Sequence, residues 1–274
     1  MIVQALEPIL MKGMDHWCCG SIPGRGISHG MKGIKRWLRE DPKGTRYAAE
    51  LDIKSFYRSI NPRYVIRWLA RKIKDRAALR LIWAIIKNGI KIGYYISQWM
   101  ANAMLQPLDH LIREKLGVQH FLRYIDNLTL FASSKRKLHK AIKAISKWLT
   151  SVGLRLKENW QVYRVNARMV SALGYRYNHQ KTLLRKRNLL RLKRQLARAY
   201  KKIDAGRKLA VSMAAGLLSR LGQLKHCDSR DLRRAIVRPG LIKILKDVVR
   251  EHSRKRKEQS QKWNRTPAPS TASA

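Results

Sequence analysis

The stretch that most constrains the fold lies near the middle of the chain: Phe121-Leu122-Arg123-Tyr124-Ile125-Asp126-Asn127-Leu128-Thr129-Leu130-Phe131. Two apolar, β-favouring runs flank a polar pair, which predicts a hairpin with Asp126 and Asn127 at its tip. Asp-Asn is also ordinary turn chemistry, so this stretch alone assigns no role. A second stretch, Ala48-Ala49-Glu50-Leu51-Asp52-Ile53-Lys54-Ser55-Phe56-Tyr57, puts another lone carboxylate after a strand-like run. Two carboxylates on the tips of neighbouring strands form an oxygen-rich site suited to magnesium, and magnesium sites move phosphates.

The remaining elements arrange themselves around these two stretches. Residues 1–46 open with an apolar, helix-like run. Gly20 to Gly30 follows, too rich in glycine for a helix. Such a loop could bring backbone N–H groups and Arg25 to a phosphate backbone, or be a plain flexible connection. Residues 31–39 read as helix. The Asp52 strand is expected to end near Ile60. Asn61 caps the next helix with Pro62 at its first position, and Val65, Leu69, Ile73, Ala77, Leu81 and Ile85 predict one buried stripe ending at Asn88-Gly89. Ser97 is expected to cap a helix to Gly117, kinked at Pro107. Ser133 or Ser134 starts a helix that buries Leu138, Ile142, Ile145 and Leu149, and Gly153 ends it. Leu154 to Lys157, Trp160 to Val165 and Ala172 to Tyr177 read as short strands. The order gives an antiparallel α+β layer. Beyond Lys181 the character changes to basic helices: residues 186–204, then one from Leu209 and one from Arg230. Residues 251–274 are basic, then rich in Pro, Ser, Thr and Ala, and read as a disordered tail.

Charge narrows the partners. Lys plus Arg number 60 against 17 for Asp plus Glu, a formal net charge of +43. Such self-repulsion is offset most naturally by nucleic acid, where each neutralised phosphate releases counterions. The charge is spread over the whole chain rather than along one amphipathic helix, which argues against a membrane surface. Cys18, Cys19 and Cys227 make neither a disulfide framework nor a zinc spacing, in keeping with a reducing, cytoplasmic setting. No apolar run is long enough to span a bilayer, and the N-terminus lacks a secretory layout.

Taken together, these stretches resemble a reverse transcriptase of the bacterial and phage group: retron-like enzymes, diversity-generating retroelements and group II intron maturases. Leu51-Asp52-Ile53-Lys54-Ser55-Phe56-Tyr57 resembles that family's motif A, and Gly93 to Asn102, with Ile96-Ser97-Gln98, its motif B. Tyr124-Ile125-Asp126-Asn127 stands where the family has Tyr-x-Asp-Asp. Gly153-Leu154-Arg155-Leu156-Lys157 resembles motif D and Leu173-Gly174-Tyr175 motif E, the primer grip. Leu221 to Cys227 resembles the thumb. The resemblance spans roughly residues 1–240. It departs from the family at Asn127, where the second carboxylate is absent. It also begins with the fingers under way, without the upstream motif whose basic residues grip the triphosphate.

The resemblance implies a right-hand polymerase: partial fingers over residues 1–47, an antiparallel-sheet palm over 48–180 and a helical thumb over 181–250. It implies RNA-directed DNA synthesis from an RNA template, a DNA or RNA primer and deoxynucleoside triphosphates, in a bacterial or phage-infected cell, with an accessory protein as a further partner. Asp52, Asp126 and the Ile53 carbonyl would share two Mg²⁺ ions, or Mn²⁺. Carboxylates ~4 Å apart repel by about 4 kcal/mol at an effective dielectric of about 20, which a metal relieves. Asn127 and Lys157 join the catalytic group, Lys157 as an acid for the leaving pyrophosphate. Tyr57 would gate the sugar 2′-hydroxyl, Ser97 and Gln98 would meet the nucleotide or template, and Arg25, Tyr124, Gly174 and Tyr175 the nucleic acid. The alternative is a weak or inactive polymerase fold that binds structured RNA as a scaffold or defence factor.

Overall fold

A computed structural model describes residues 2–91 and 93–265. The chain divides into two compact units, Met1–Gln180 and Lys181–Ala274. The first runs through α1 (Ile2–Met11), β1 (Cys18–Cys19), α2 (Ile27–Glu40), β2 (Tyr47–Asp52) and a short α3 (Phe56–Ser59). It continues through α4 (Pro62–Ala70), α5 (Arg76–Ile86), α6 (Tyr95–Met104), α7 (Gln106–His110) and a π-helical turn, Leu111–Lys115. Then come β3 (Phe121–Tyr124), β4 (Asn127–Ala132), α8 (Lys135–Ser151), β5 (Gln161–Arg164), β6 (Val170–Ala172) and β7 (Tyr175–Tyr177).

The main sheet has the order β1-β3-β4-β2-β5. Every pairing is antiparallel except that of the edge strand β1, which runs parallel to β3. This is the α+β architecture expected from the sequence. Residues Leu128–Ala132 of the central strand β4 are all buried, so helices must cover both sheet faces. One cover is α8, packed on β4, β2 and β5. Its Leu138, Ile142, Ile145 and Leu149 are buried as the period predicted, each worth about 1.5–3 kcal/mol of burial. The Ser134 side chain caps α8 by accepting from the Lys137 N–H at 3.2 Å.

Several local expectations are corrected. The stripe predicted as one helix breaks after Ala70: Val65, Leu69 and Ile73 are buried, but Asp75 starts a new helix by accepting from Ala77 N at 2.7 Å. The break resets the phase, so α5 buries Ile82 and Ile86 and leaves Leu81 and Ile85 exposed. Ser97 lies inside α6 rather than at its cap, which is Tyr94, and the helix ends at Met104 before the turn carrying Pro107. The strand with Asp52 ends at that residue, not near Ile60. Residues 154–157 form only an isolated bridge, Leu156 to Ile53. The stretch Ala172 to Tyr177 is a hairpin, not one strand: Ala172 pairs with Tyr175 across Leu173 and Gly174. Both turn residues have positive φ, the type I′ pattern that Gly174 accepts without strain. Within residues 1–47, β1 joins the main sheet alongside β3.

The second unit contains β8 (Thr182–Leu184), α9 (Lys186–Asp204), α10 (Val211–Gln223), a 3₁₀ turn Leu224–His226, α11 (Arg230–Ile236) and α12 (Leu241–Arg265). Leu192 and Leu196 of α9, Leu217 and Leu221 of α10, and Leu241 and Leu245 of α12 are among its buried residues. The disordered tail expected from residue 251 is corrected as far as Arg265, because α12 continues to that point. Arg, Lys, Glu and Gln are good helix formers, no proline intervenes before Pro267, and Glu251–Lys255 and Arg254–Glu258 pair one turn apart. Residues 266–274 of that expected tail lie outside the described residues. Among the described residues, no helix is long and apolar enough to cross a membrane.

Candidate active site

Strand register brings the two aspartates to the same end of the sheet. Asp52 closes β2 and pairs with Asn127, the first residue of β4. The hairpin tip is therefore Ile125-Asp126, one residue earlier than the sequence predicted, with Tyr124 and Asn127 paired below it. Ile125 has φ 58° and Asp126 has no positive φ, the sign pattern of a type II′ turn. A β-branched residue in that conformation is strained by about 1–3 kcal/mol, so the surroundings must hold it there. One restraint comes from the neighbouring strand: Ile53 N donates to Asp126 O at 3.2 Å.

Lys157 reaches the same corner through the backbone. Its N–H donates to Asp52 O at 2.9 Å, and Lys54 N donates to Arg155 O at 2.8 Å. The side chain then turns onto Asp52, with Nζ 2.6 Å from Oδ1, and contact with that carboxylate raises the lysine pKa above its ordinary value. Burial pushes the Asp126 carboxyl above the usual carboxylate range, and the charge of Asp52 adds to the shift. Asn127 Nδ2 donates to Asp126 Oδ1 at 2.9 Å, so it offers this carboxylate a hydrogen bond instead of a second charge.

The oxygen set fits a hard divalent ion. Asp52 Oδ1 is shut off from solvent and accepts no well-directed hydrogen bond; its ion pair with Lys157 is close but lies off that geometry. A buried carboxylate oxygen in this state calls for a cation. Among the described residues no cluster of three or more His, Cys, Asp or Glu forms, so carbonyl, water or phosphate oxygens would complete the shell, as is usual for Mg²⁺.

The other predicted residues divide into two groups. Tyr57, on α3, stands by the pair: burial and then the Asp126 charge raise its phenol pKa. It also lines a cleft with Arg58, Asn88 and Lys91. Tyr124 is half-buried against Gly20, whose added Cβ would lie 3.2 Å from the Tyr124 ring. Ser97 is buried and Gln98 half-buried, and among the described residues neither makes a polar contact with Asp52, Asp126 or Lys157. Arg25 is occupied in holding its own loop, donating to Asp15 O at 2.9 Å. Gly174 sits in the β6–β7 turn, and Tyr175, expected to meet nucleic acid, is 4% exposed. Reading the sequence missed one pair, Arg123–Asp109, both fully buried, with Nε to Oδ1 and Nη2 to Oδ2 each 2.7 Å. The available signal was an arginine inside an otherwise apolar strand.

The chain is similar to several known proteins. Residues 1–177 match the family described as reverse transcriptase (RNA-dependent DNA polymerase). Protein YkfC of Escherichia coli (strain K12) is 26% identical over 129 residues, 42% of this chain and 34% of that protein. Telomerase from Candida albicans, solved in complex with a TWJ fragment of telomeric RNA, superimposes with a TM-score of 0.56 at 14% identity, covering 90% of this chain and 51% of that one. Apo telomerase from Candida tropicalis, truncated from the C-terminal domain, gives 0.54 at 14% identity over 67% of this chain and 45% of that one. The chain thus spans about half or less of each of these proteins, and the structural likeness speaks for the fold. The two strand-end aspartates therefore stand in a frame that the profile recognises from the first residue to the end of β7: the chain belongs to the reverse transcriptase (RNA-dependent DNA polymerase) family.

Proposed function

We propose that the chain extends a DNA or RNA primer with deoxynucleotides on an RNA template. The observation that carries this reading is the convergence of Asp52, Asp126 and Lys157 at one end of β2 and β4. In strand extension the primer 3′-hydroxyl oxygen attacks the α-phosphorus in line, the bond to the β-phosphate oxygen breaks and pyrophosphate leaves. Asp52, Asp126 and the Ile53 carbonyl would hold Mg²⁺ or Mn²⁺, which supplies Lewis-acid stabilisation of the attacking and leaving oxygens. The protein's own task is mainly positioning. The Ile53–Asp126 backbone bond fixes one carboxylate against the other. Lys157, charged at neutral pH, carries a proton for the departing pyrophosphate once phosphate displaces it from Asp52. The Tyr57 ring beside Asp126 would exclude a 2′-hydroxyl, and Ser97 and Gln98 would meet the nucleotide or template.

In this reading residues 1–47 contribute to the fingers, 48–180 form the palm, and the basic helices from Lys181 act as a thumb on the duplex backbone. The bound telomeric RNA of the Candida albicans relative supports an RNA template, and the net charge of +43 supports a phosphate backbone as ligand. Binding should weaken steeply with salt. The experiment is extension of a labelled primer on an RNA template with Mg²⁺ and with Mn²⁺, alongside a salt titration of RNA binding. Deoxynucleotide addition supports the polymerase. Salt-dependent RNA binding without extension in either metal favours the second reading, a polymerase fold used as an RNA scaffold. The observation behind that second reading is Asn127, which leaves the site one carboxylate short of the family pattern.

A further inference from the structure

The strained turn that carries Asp126 needs a restraint, and the sheet supplies one from beneath. Arg123 lies two residues before the turn on β3, with its side chain fully buried. Its fork engages Asp109 of α7 through Nε and Nη2, each at 2.7 Å. The remaining N–H groups are also used: Nη1 donates to Asn102 Oδ1 at 3.0 Å and to Ile125 O at 3.1 Å, and Nη2 to Cys18 Sγ at 2.9 Å and Asn102 O at 3.3 Å. One guanidinium thus ties α6, α7, β1 and the hairpin turn to a common point.

The other side of the turn is packed as closely. Ile125 N donates to Cys19 O at 3.2 Å. Asn102 Nδ2 donates to Gly20 O at 2.9 Å, and a Cβ on Gly20 would lie 2.9 Å from Ile125 Cγ1. The loop after β1 and the arginine fork therefore hold Ile125 from two directions. A purely architectural ion pair would have no reason to direct a donor at the carbonyl of the one β-branched, left-handed residue in the turn. A fully satisfied buried network is rigid, and rigidity is what a positive-φ isoleucine next to a working carboxylate requires.

We propose that Arg123, clamped by Asp109 and Asn102, is a positioning residue that holds the Ile125-Asp126 turn in its strained conformation and so sets the placement of the Asp126 carboxylate. The inference deepens the polymerase reading and rests on it for its catalytic consequence. Its conformational consequence stands apart from activity.

The test removes the network without stranding a charge. Losing one partner of a buried pair unfolds many proteins, whereas replacing both by apolar groups is often tolerated. In Arg123→Met/Asp109→Leu, the melting temperature should stay within about 5 °C of the parent. Amide hydrogen exchange at Ile125 and Ile53 should accelerate at least about tenfold while amides in α8 are unchanged. Mn²⁺ affinity, measured with the metal alone, should fall about tenfold, and kcat for primer extension about a hundredfold with little change in the nucleotide KM. If the double variant does not fold, Arg123→Lys meets the same criteria, because it keeps a cation beside Asp109 but lacks the second arm to Ile125 O. Parent-like exchange at Ile125 and Ile53 with parent-like Mn²⁺ binding would overturn the proposal and leave the pair as architecture. A parent inert in extension would instead overturn the polymerase reading, and exchange and Mn²⁺ binding would still decide the role of Arg123.

Discussion

Two ion pairs of nearly equal length flank the hairpin. Lys157 Nζ lies 2.6 Å from Asp52 Oδ1, with side chains 45% and 31% exposed; Arg123 Nη2 lies 2.7 Å from Asp109 Oδ2, with both at 0%. Distance does not distinguish them, but solvent does. The outer pair is partly exposed, chiefly on the Lys157 side, and in the proposed reading a triphosphate competes for the lysine, so it can open and close with small effect on the fold. The inner pair is cut off from any replacement, is saturated with hydrogen bonds, and can only be broken at the full cost of stranding a charge. In the proposed reading, chemistry belongs to the outer pair and placement to the inner one.

Breaking the inner pair from one side is the largest perturbation. Arg123→Ala or Asp109→Ala should each lower unfolding stability by about 3–5 kcal/mol in denaturant titrations. A loss below about 1 kcal/mol would erase the distinction from the outer pair. The opposite profile is expected at the outer pair. Lys157→Ala should change stability by roughly 1 kcal/mol or less, yet slow primer extension by about a hundredfold. Equal losses of stability at both sites would contradict the comparison.

A pH experiment sharpens it further. Burial pushes the thiols of Cys18 and Cys19, which adjoin the inner pair, up to about 12 from 9.0. The folded state keeps protons that the unfolded state gives up, so this contribution is complete below about pH 9 and lost as pH rises towards 12. Cys18→Ala and Cys19→Ala should therefore flatten the alkaline decline seen in urea midpoints, and the native thiols should resist alkylation at pH 8. An unchanged alkaline limb in both variants would contradict the burial argument. The smallest effect is expected at the edge of the outer site. Asn127→Asp replaces the amide donor to Asp126 by a like charge, and should lower the Mg²⁺ concentration needed for extension several-fold, read from a metal titration.

Local chemistry made much of this legible in the sequence. Asn61-Pro62, the α8 stripe and the two strand-end aspartates are written in short-range pattern, and they reappear in the fold. The turn sits one residue earlier than the pattern predicts because an isoleucine at φ 58° breaks the usual preference, and only tertiary restraint makes it tolerable. The break before Asp75 is hidden in the sequence because the apolar spacing continues across it, although Asp75 itself is an ordinary cap. The inner pair was not legible: Arg123 and Asp109 lie 14 residues apart on different elements, and a lone arginine in a strand is ordinarily solvated.

The measurement that bears most directly on the account is primer extension on an RNA template by four proteins: the parent, Asn127→Asp, Asp52→Asn and Asp126→Asn, each checked for folding by circular dichroism. The account predicts metal-dependent extension by the parent, greater in Mn²⁺ than in Mg²⁺, more extension by Asn127→Asp, and none by Asp52→Asn or Asp126→Asn. Extension undiminished in either aspartate variant, or a parent and an Asn127→Asp protein that both bind RNA and add no nucleotide, would contradict it.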